Sequence, residues 1–171
     1  MHAKYANRKA ELRAIDFYET LPQDFRHFAF DIKKAILTLG NCTIHSYQEF
    51  AAHWDVEAGD VIAYCESRKG CTYKQGENYI IMFNDSPDIA RADKTITLAH
   101  ELGHILLGHL IVLESFKIFN SSHANEHFER DADHFAAVVL KKAAREKSRG
   151  ARSAEIAVPA YLFERAELDW I

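Results

Sequence analysis

The chain has little of what marks a secreted, fibrous or membrane-spanning protein. Its three cysteines, Cys42, Cys65 and Cys71, are an odd set without Cys-x-x-Cys spacing, which points to neither a disulfide framework nor a thiolate metal site. They read as reduced thiols of a cytoplasmic protein. Three prolines and seven glycines in 171 residues are too few for a collagen-like or low-complexity segment, and no internal repeat is visible. Positive charge is also short: 21 Lys and Arg against 25 Asp and Glu give a net charge of −4, which speaks against broad contact with nucleic acid or anionic membranes. The first residues carry charge with no apolar segment behind them, so no secretory leader is expected. The longest apolar stretch, residues 98–113, is broken by His100, Glu101, His104 and His109, groups that are costly in hydrocarbon.

What is present suits one well-buried core, since 48% of the residues are hydrophobic and the length favours a single domain. That domain is expected to span 1–171, with a helical N-terminal extension over about 1–22 and a short tail over about 146–171. Leu21-Pro22 should stop the first helix. Apolar residues from Phe25 to Leu39 at helical spacing predict a second helix over 23–39, with His27 packed beside its stripe. A short strand over 42–47 should lead into a helix through Trp54. His45 and His53 share no ligand spacing. Residues 60–66 lean towards helix. Two β-prone runs, 71–74 and 79–83, flank Gln75-Gly76-Glu77-Asn78 and predict a hairpin whose wholly apolar second strand is central.

The following helix carries the chemistry. It is expected to begin at Ser86-Pro87 or at Asp93, with Ile89, Ala92, Ile96, Ala99, Gly103, Leu106, Leu110 and Leu113 as its buried stripe. On it stand His100, Glu101 and His104, in the order His-Glu-x-x-His. Residues i and i+4 of a helix share one face, so the two imidazoles can grip one ion, and the intervening Glu101 can reach the attacking water without being a ligand. A shuffled chain of this composition shows the pattern roughly 5% of the time, so supporting context is required. Gly103 costs about 1 kcal/mol within a helix, which suggests that another backbone or a ligand passes close. Gly108 and His109 mark its last turn. His109 is read as structural, because a metzincin-like third histidine would stand six residues beyond His104 rather than five.

A catalytic zinc ion takes three protein ligands. The best third ligand is Glu129, in a helix where Glu129 and Asp133 share a face with small Ala132 and Ala136 beside them. Asp133 is then the acid that orients a ligand histidine. Glu126 and Asp131 are the competing acids. Asp131, about 200° round the helix, is expected to face solvent or a rim. Residues 114–124 read as a loop, and the basic run 141–152 as a solvated helix end.

The run 95–109 with its His-Glu-x-x-His, followed by 129–137 with Glu129, Asp133 and Phe135-Ala136-Ala137, resembles the ImmA/IrrE family of metallopeptidases. The similarity covers roughly residues 71–140. It implies a compact zincin-like α+β domain with a small, mainly antiparallel sheet packed on helices that include the metal helix. It also implies a Zn2+ site of His100, His104 and Glu129, with Glu101 as general base. Members typically cleave DNA-binding repressors of bacteria or mobile elements, so the expected partner is a protein substrate of that kind. Direct contact with nucleic acid or membrane is not expected. The family usually continues past Phe-Ala-Ala to a proline, whereas here Val138-Val139-Leu140 runs into Lys141-Lys142. Two other readings stand beside the endopeptidase. One is a non-catalytic metal-stabilised module that binds a transcriptional regulator or a toxin–antitoxin partner; the other is a hydrolase of non-peptide substrates.

Overall fold

The computed structural model describes residues 3–27, 30–65, 67–110 and 122–150. They form α1 (Ala3–Thr20), α2 (Gln23–His27), α3 (Ile32–Leu37), β1 (Cys42–Ser46), α4 (Tyr47–Trp54), α5 (Ala58–Cys65), β2 (Gly70–Gln75), β3 (Asn78–Phe83), α6 (Arg91–Leu107) and α7 (Ser122–Gly150). This is an α+β architecture with one small mixed sheet of order β1-β3-β2. The expected hairpin pairs β2 antiparallel to β3, with Gln75 opposite Asn78. β1 joins the other side of β3 in parallel, Ile44 opposite Ile81. The apolar β3 is therefore central, with Ile81, Met82 and Phe83 buried. Its central place leaves β2 as a sheet edge.

Local chemistry sets several boundaries. Ser46 ends β1 and caps α4: its Oγ accepts from the Glu49 N–H at 3.0 Å, while the Glu49 carboxylate accepts from the Ser46 N–H at 2.8 Å. Both otherwise unpaired backbone donors are thereby satisfied. The single helix expected over 23–39 is instead two helices. Asp31 adopts an extended conformation and accepts from the Lys33 and Lys34 N–H groups, so its short side chain begins a new helix rather than continuing the old one. The His27 side chain, Phe28 and Ala29 lie outside the described residues, as do most of the loop expected over 114–124 and residues 151–171. The helix that carries His100 and His104, α6, starts at Arg91, after an Ala90 that makes no side-chain cap. Ser86 instead closes a turn, its carbonyl accepting from the Ile89 N–H at 3.1 Å.

α7 lies between α1 and α6 and forms the middle of the core. On one side Phe17 of α1 meets Phe135, ring centroids 6.2 Å apart. Lys142 reaches Glu19 on the same side at 2.7 Å, so the basic end of α7 is partly neutralised by α1. On the other side α6 supplies Leu98, Leu102 and Ile105. These form the deepest line of α6; of the expected stripe, Ala99 and Gly103 are buried, Ile96, Leu106 and Leu110 are half-buried and Ala92 is exposed. The stripe lies about one residue round the helix from its expected place. α1, expected as an extension, has Ala10, Ala14 and Tyr18 in the same core as α6 and α7. Each fully buried large side chain, such as Leu102 or Phe135, contributes about 1.5–3 kcal/mol. Among the described residues no helix is long and apolar enough to cross a membrane.

α6 and α7 approach each other closely at Gly103. A Cβ added there would lie 3.1 Å from the Cα and 3.2 Å from the carbonyl oxygen of Ala132, and backbone atoms cannot step aside. Close packing at this density penalises added volume. Gly103→Val is therefore expected to lower stability by about 1–3 kcal/mol in denaturant unfolding. An unchanged unfolding midpoint would mean that α6 and α7 do not meet at this point.

Candidate metal centre

The helical period of α6 brings His100 and His104 one turn apart, with their Nε2 atoms separated by 3.0 Å. α7, held close by the Gly103–Ala132 contact, adds Glu129: Oε2 lies 3.1 Å from His100 Nε2 and Oε1 3.3 Å from His104 Nε2. Among the described residues this is the one set of three such groups whose ligand atoms converge, all within 4.8 Å. Donor atoms on a tetrahedral ion with bonds of 2.0–2.1 Å stand about 3.3 Å from one another. The observed separations match that span, so the three residues can hold a metal ion. The two histidine side chains are 16% and 12% exposed and that of Glu129 is 56% exposed. The site is closed on the protein side and open towards water.

Asp133 and Glu101 complete the surroundings. Asp133 Oδ1 lies 2.9 Å from His100 Nδ1, which holds the proton there and leaves the Nε2 lone pair for an ion. Glu101 is only 7% exposed, although it is an acid outside the ligand set. Its Oε2 accepts a 2.7 Å hydrogen bond from the Thr72 hydroxyl of β2. The strand comes this close because its first residue is Gly70, where a Cβ would meet Thr97 Cγ2 at 2.6 Å. A cleft of about 1030 Å³ runs along this seam, walled by β2, by the ligand face of α6 and by Glu129 and Asp133. Ile89, Ile96 and Leu110 give it an apolar side.

The charges of the site reinforce one another. Burial alone would lower the pKa of His100, but hydrogen bonds to Asp133 and Glu129 and the Glu101 charge outweigh it and push the ring up to about 10. The same contacts from His100 and His104 hold the Glu129 carboxyl well below the usual carboxylate range. The pocket thus binds a proton where an ion would sit.

His109 is the residue that sequence reasoning undervalued. Just past Gly108, whose φ of 76° ends α6, its ring turns back until Nδ1 lies 3.1 Å from His104 Nδ1. It is 4% exposed and stacks on Phe128 at 4.4 Å and 22°. Burial, aided by the neighbouring His104 charge, lowers its pKa to about 3, so the ring is neutral. Thr72 was also missed, because nothing in the local pattern reveals which strand faces Glu101. Asp131 is a correction: it is buried, not solvent-facing. The side of α7 opposite the site is covered rather than open, because α7 runs between α1 and α6. Burial raises the Asp131 pKa, with Lys9 of α1 among the opposing charges. His127 Nδ1 lies 3.6 Å from its Oδ2. Neither Asp131 nor the exposed Glu126 joins the histidine pair. His45 and His53 are exposed and stand apart.

Comparison with protein-family models, curated proteins and solved structures gives no match to this chain. The site therefore rests on its own geometry.

Two measurements check the ligand set. In a titration with a divalent transition metal against a chromophoric chelator, Asp133→Asn is expected to weaken affinity about 10–100-fold, and Glu129→Ala at least as much. Unaltered affinity in Glu129→Ala would exclude it as a ligand. Because His100 is protonated in the metal-free site up to a pKa of about 10, an entering ion must displace one proton. Affinity should then rise about tenfold per pH unit between pH 6 and 8. A flat dependence over that range would show that no proton is displaced.

Proposed function

We propose that the protein is a zinc-dependent endopeptidase that acts on a regulatory protein. The observation that carries this reading is Glu101: a buried carboxylate, next in sequence to a ligand histidine, hydrogen-bonded to Thr72 and bordering the cleft without joining the ligand set. A purely structural metal site has no use for such a group. The donor set of two imidazoles and one carboxylate, with no sulfur, is that of hydrolytic zinc centres, which keep an open position. Non-haem iron can use the same donors, but the poised base favours hydrolysis.

Bound there, zinc would supply Lewis acidity, polarising a carbonyl and lowering the pKa of water from 15.7 to about 7. The chain's own part is to hold and move a proton. Thr72 occupies one oxygen of Glu101, and the other is left to accept the proton of the attacking water and pass it to the leaving amine. The exposed face of Glu129 and the apolar cleft wall give an extended peptide access to the reacting atoms. Cys42, Cys65 and Cys71 are all free thiols, in keeping with a reducing, cytoplasmic setting. The resemblance to the ImmA/IrrE family suggests a DNA-binding repressor as the substrate.

Glu101→Gln is expected to retain about one equivalent of zinc while peptide cleavage of a DNA-binding regulator encoded beside this chain falls about 10²–10⁴-fold. Undiminished cleavage by Glu101→Gln would remove Glu101 from the base role. A stable, zinc-loaded complex in which the unmodified protein leaves the regulator intact would replace the peptidase by a binding module.

A further inference from the structure

We infer that His109 is a positioning residue for the metal ligand His104, accepting a hydrogen bond that commits His104 to presenting Nε2 to the ion. The inference rests on the metal-site part of the reading above and not on peptide cleavage. Two imidazole nitrogens 3.1 Å apart, His104 Nδ1 and His109 Nδ1, are within hydrogen-bond distance. Two lone pairs, or two hydrogens, facing each other there would repel. One nitrogen therefore carries the hydrogen and the other accepts it.

The site decides which. His104 Nε2 faces Glu129 Oε1 at 3.3 Å and His100 Nε2 at 3.0 Å, so Nε2 is the ligand atom and must be bare to bind a metal. The proton of a neutral His104 then sits on Nδ1 and is donated to His109. It follows that His109 Nδ1 is an acceptor and that its own proton is on Nε2. The ring is held for this task. It is 4% exposed and lies in near-parallel contact with Phe128, the residue before Glu129. One stack thereby ties the outer support of His104 to the helix that brings the third ligand.

The two histidine ligands are thus supported unequally. Asp133, a carboxylate, takes the Nδ1 hydrogen of His100 and makes that ring the more basic ligand, whereas a neutral imidazole does less for His104. Such a carboxylate was visible in the sequence by its i+4 relation to Glu129. His109 was not, because it follows the left-handed turn at Gly108 and shares no helical face with the pair.

The test measures zinc affinity and proton location in the full chain. His109→Phe keeps an aromatic ring against Phe128 but removes the acceptor, and should lose about 10–100-fold in zinc affinity. His109→Asn places a carboxamide oxygen near the position of Nδ1 and should recover most of that loss. Affinity unchanged in His109→Phe, or no recovery in His109→Asn, would overturn the acceptor role and leave His109 as packing alone. Should His109→Phe fail to fold, nitrogen-15 spectra of the zinc-loaded unmodified protein decide. The expected result is a proton on His109 Nε2 and on His104 Nδ1; a proton on His109 Nδ1 would overturn the inference. If the unmodified chain binds no zinc, the metal-site reading itself fails, and this role with it.

Discussion

The contact between Gly103 and Ala132 is the constraint on which the site depends. Gly103 precedes His104 by one residue, and Ala132 follows Glu129 by one turn of its own helix. A Cβ at Gly103 would force α7 to give way by a few tenths of an ångström, and α7 is the helix that carries Glu129 to 3.1 and 3.3 Å from the two imidazoles. The roughly 1 kcal/mol that glycine costs a helix interior is offset by this approach. The sheet meets the same helix by a similar device. Gly70 lets β2 lie against Thr97, and two residues on, the Thr72 hydroxyl reaches Glu101.

These two close approaches make a site with two unlike sides. Towards the protein, His100 and His104 rest on Asp133 and His109, which fix where each ring carries its proton. Towards the cleft, Glu129 is more than half exposed. The charge balance follows the same division. His100 lies among three acids, Glu101, Glu129 and Asp133, and is raised despite its burial; His109 is lowered by burial first and by nearby positive charge second, and rests on an apolar ring. A metal ion placed there would take over a charge that the pocket already favours, which is a physical reason to expect tight binding rather than a chance cluster of donors.

Much of this was legible in the chain because it depends on short-range periodicity. His100 and His104 could be paired from helical spacing alone, and Glu129 with Asp133 from the same rule plus the small Ala132 and Ala136. The apolar 79–83 run correctly marked the central strand. What was not legible depends on long-range placement or on local competition. Thr72 is 29 residues from Glu101 in sequence, and only the register of β2 against α6 brings them together. Asp131 was expected in solvent or at a rim because one helix was considered without its second neighbour, α1. Asp31 split an expected helix because its side chain satisfies backbone donors that periodicity does not count. His109 was set aside because its offset from His104 does not match the spacing of a third ligand, and no spacing rule anticipates a ring that turns back onto His104 after Gly108.

The central proposal is that two helices meet at one zinc ion through His100, His104 and Glu129. X-ray absorption at the zinc edge of the loaded protein tests it most directly. The account predicts one equivalent of zinc with two imidazole nitrogens and light oxygen donors at about 2.0–2.2 Å and no sulfur. A sulfur shell at about 2.3 Å, drawn from Cys42, Cys65 or Cys71, or a single imidazole, would contradict it.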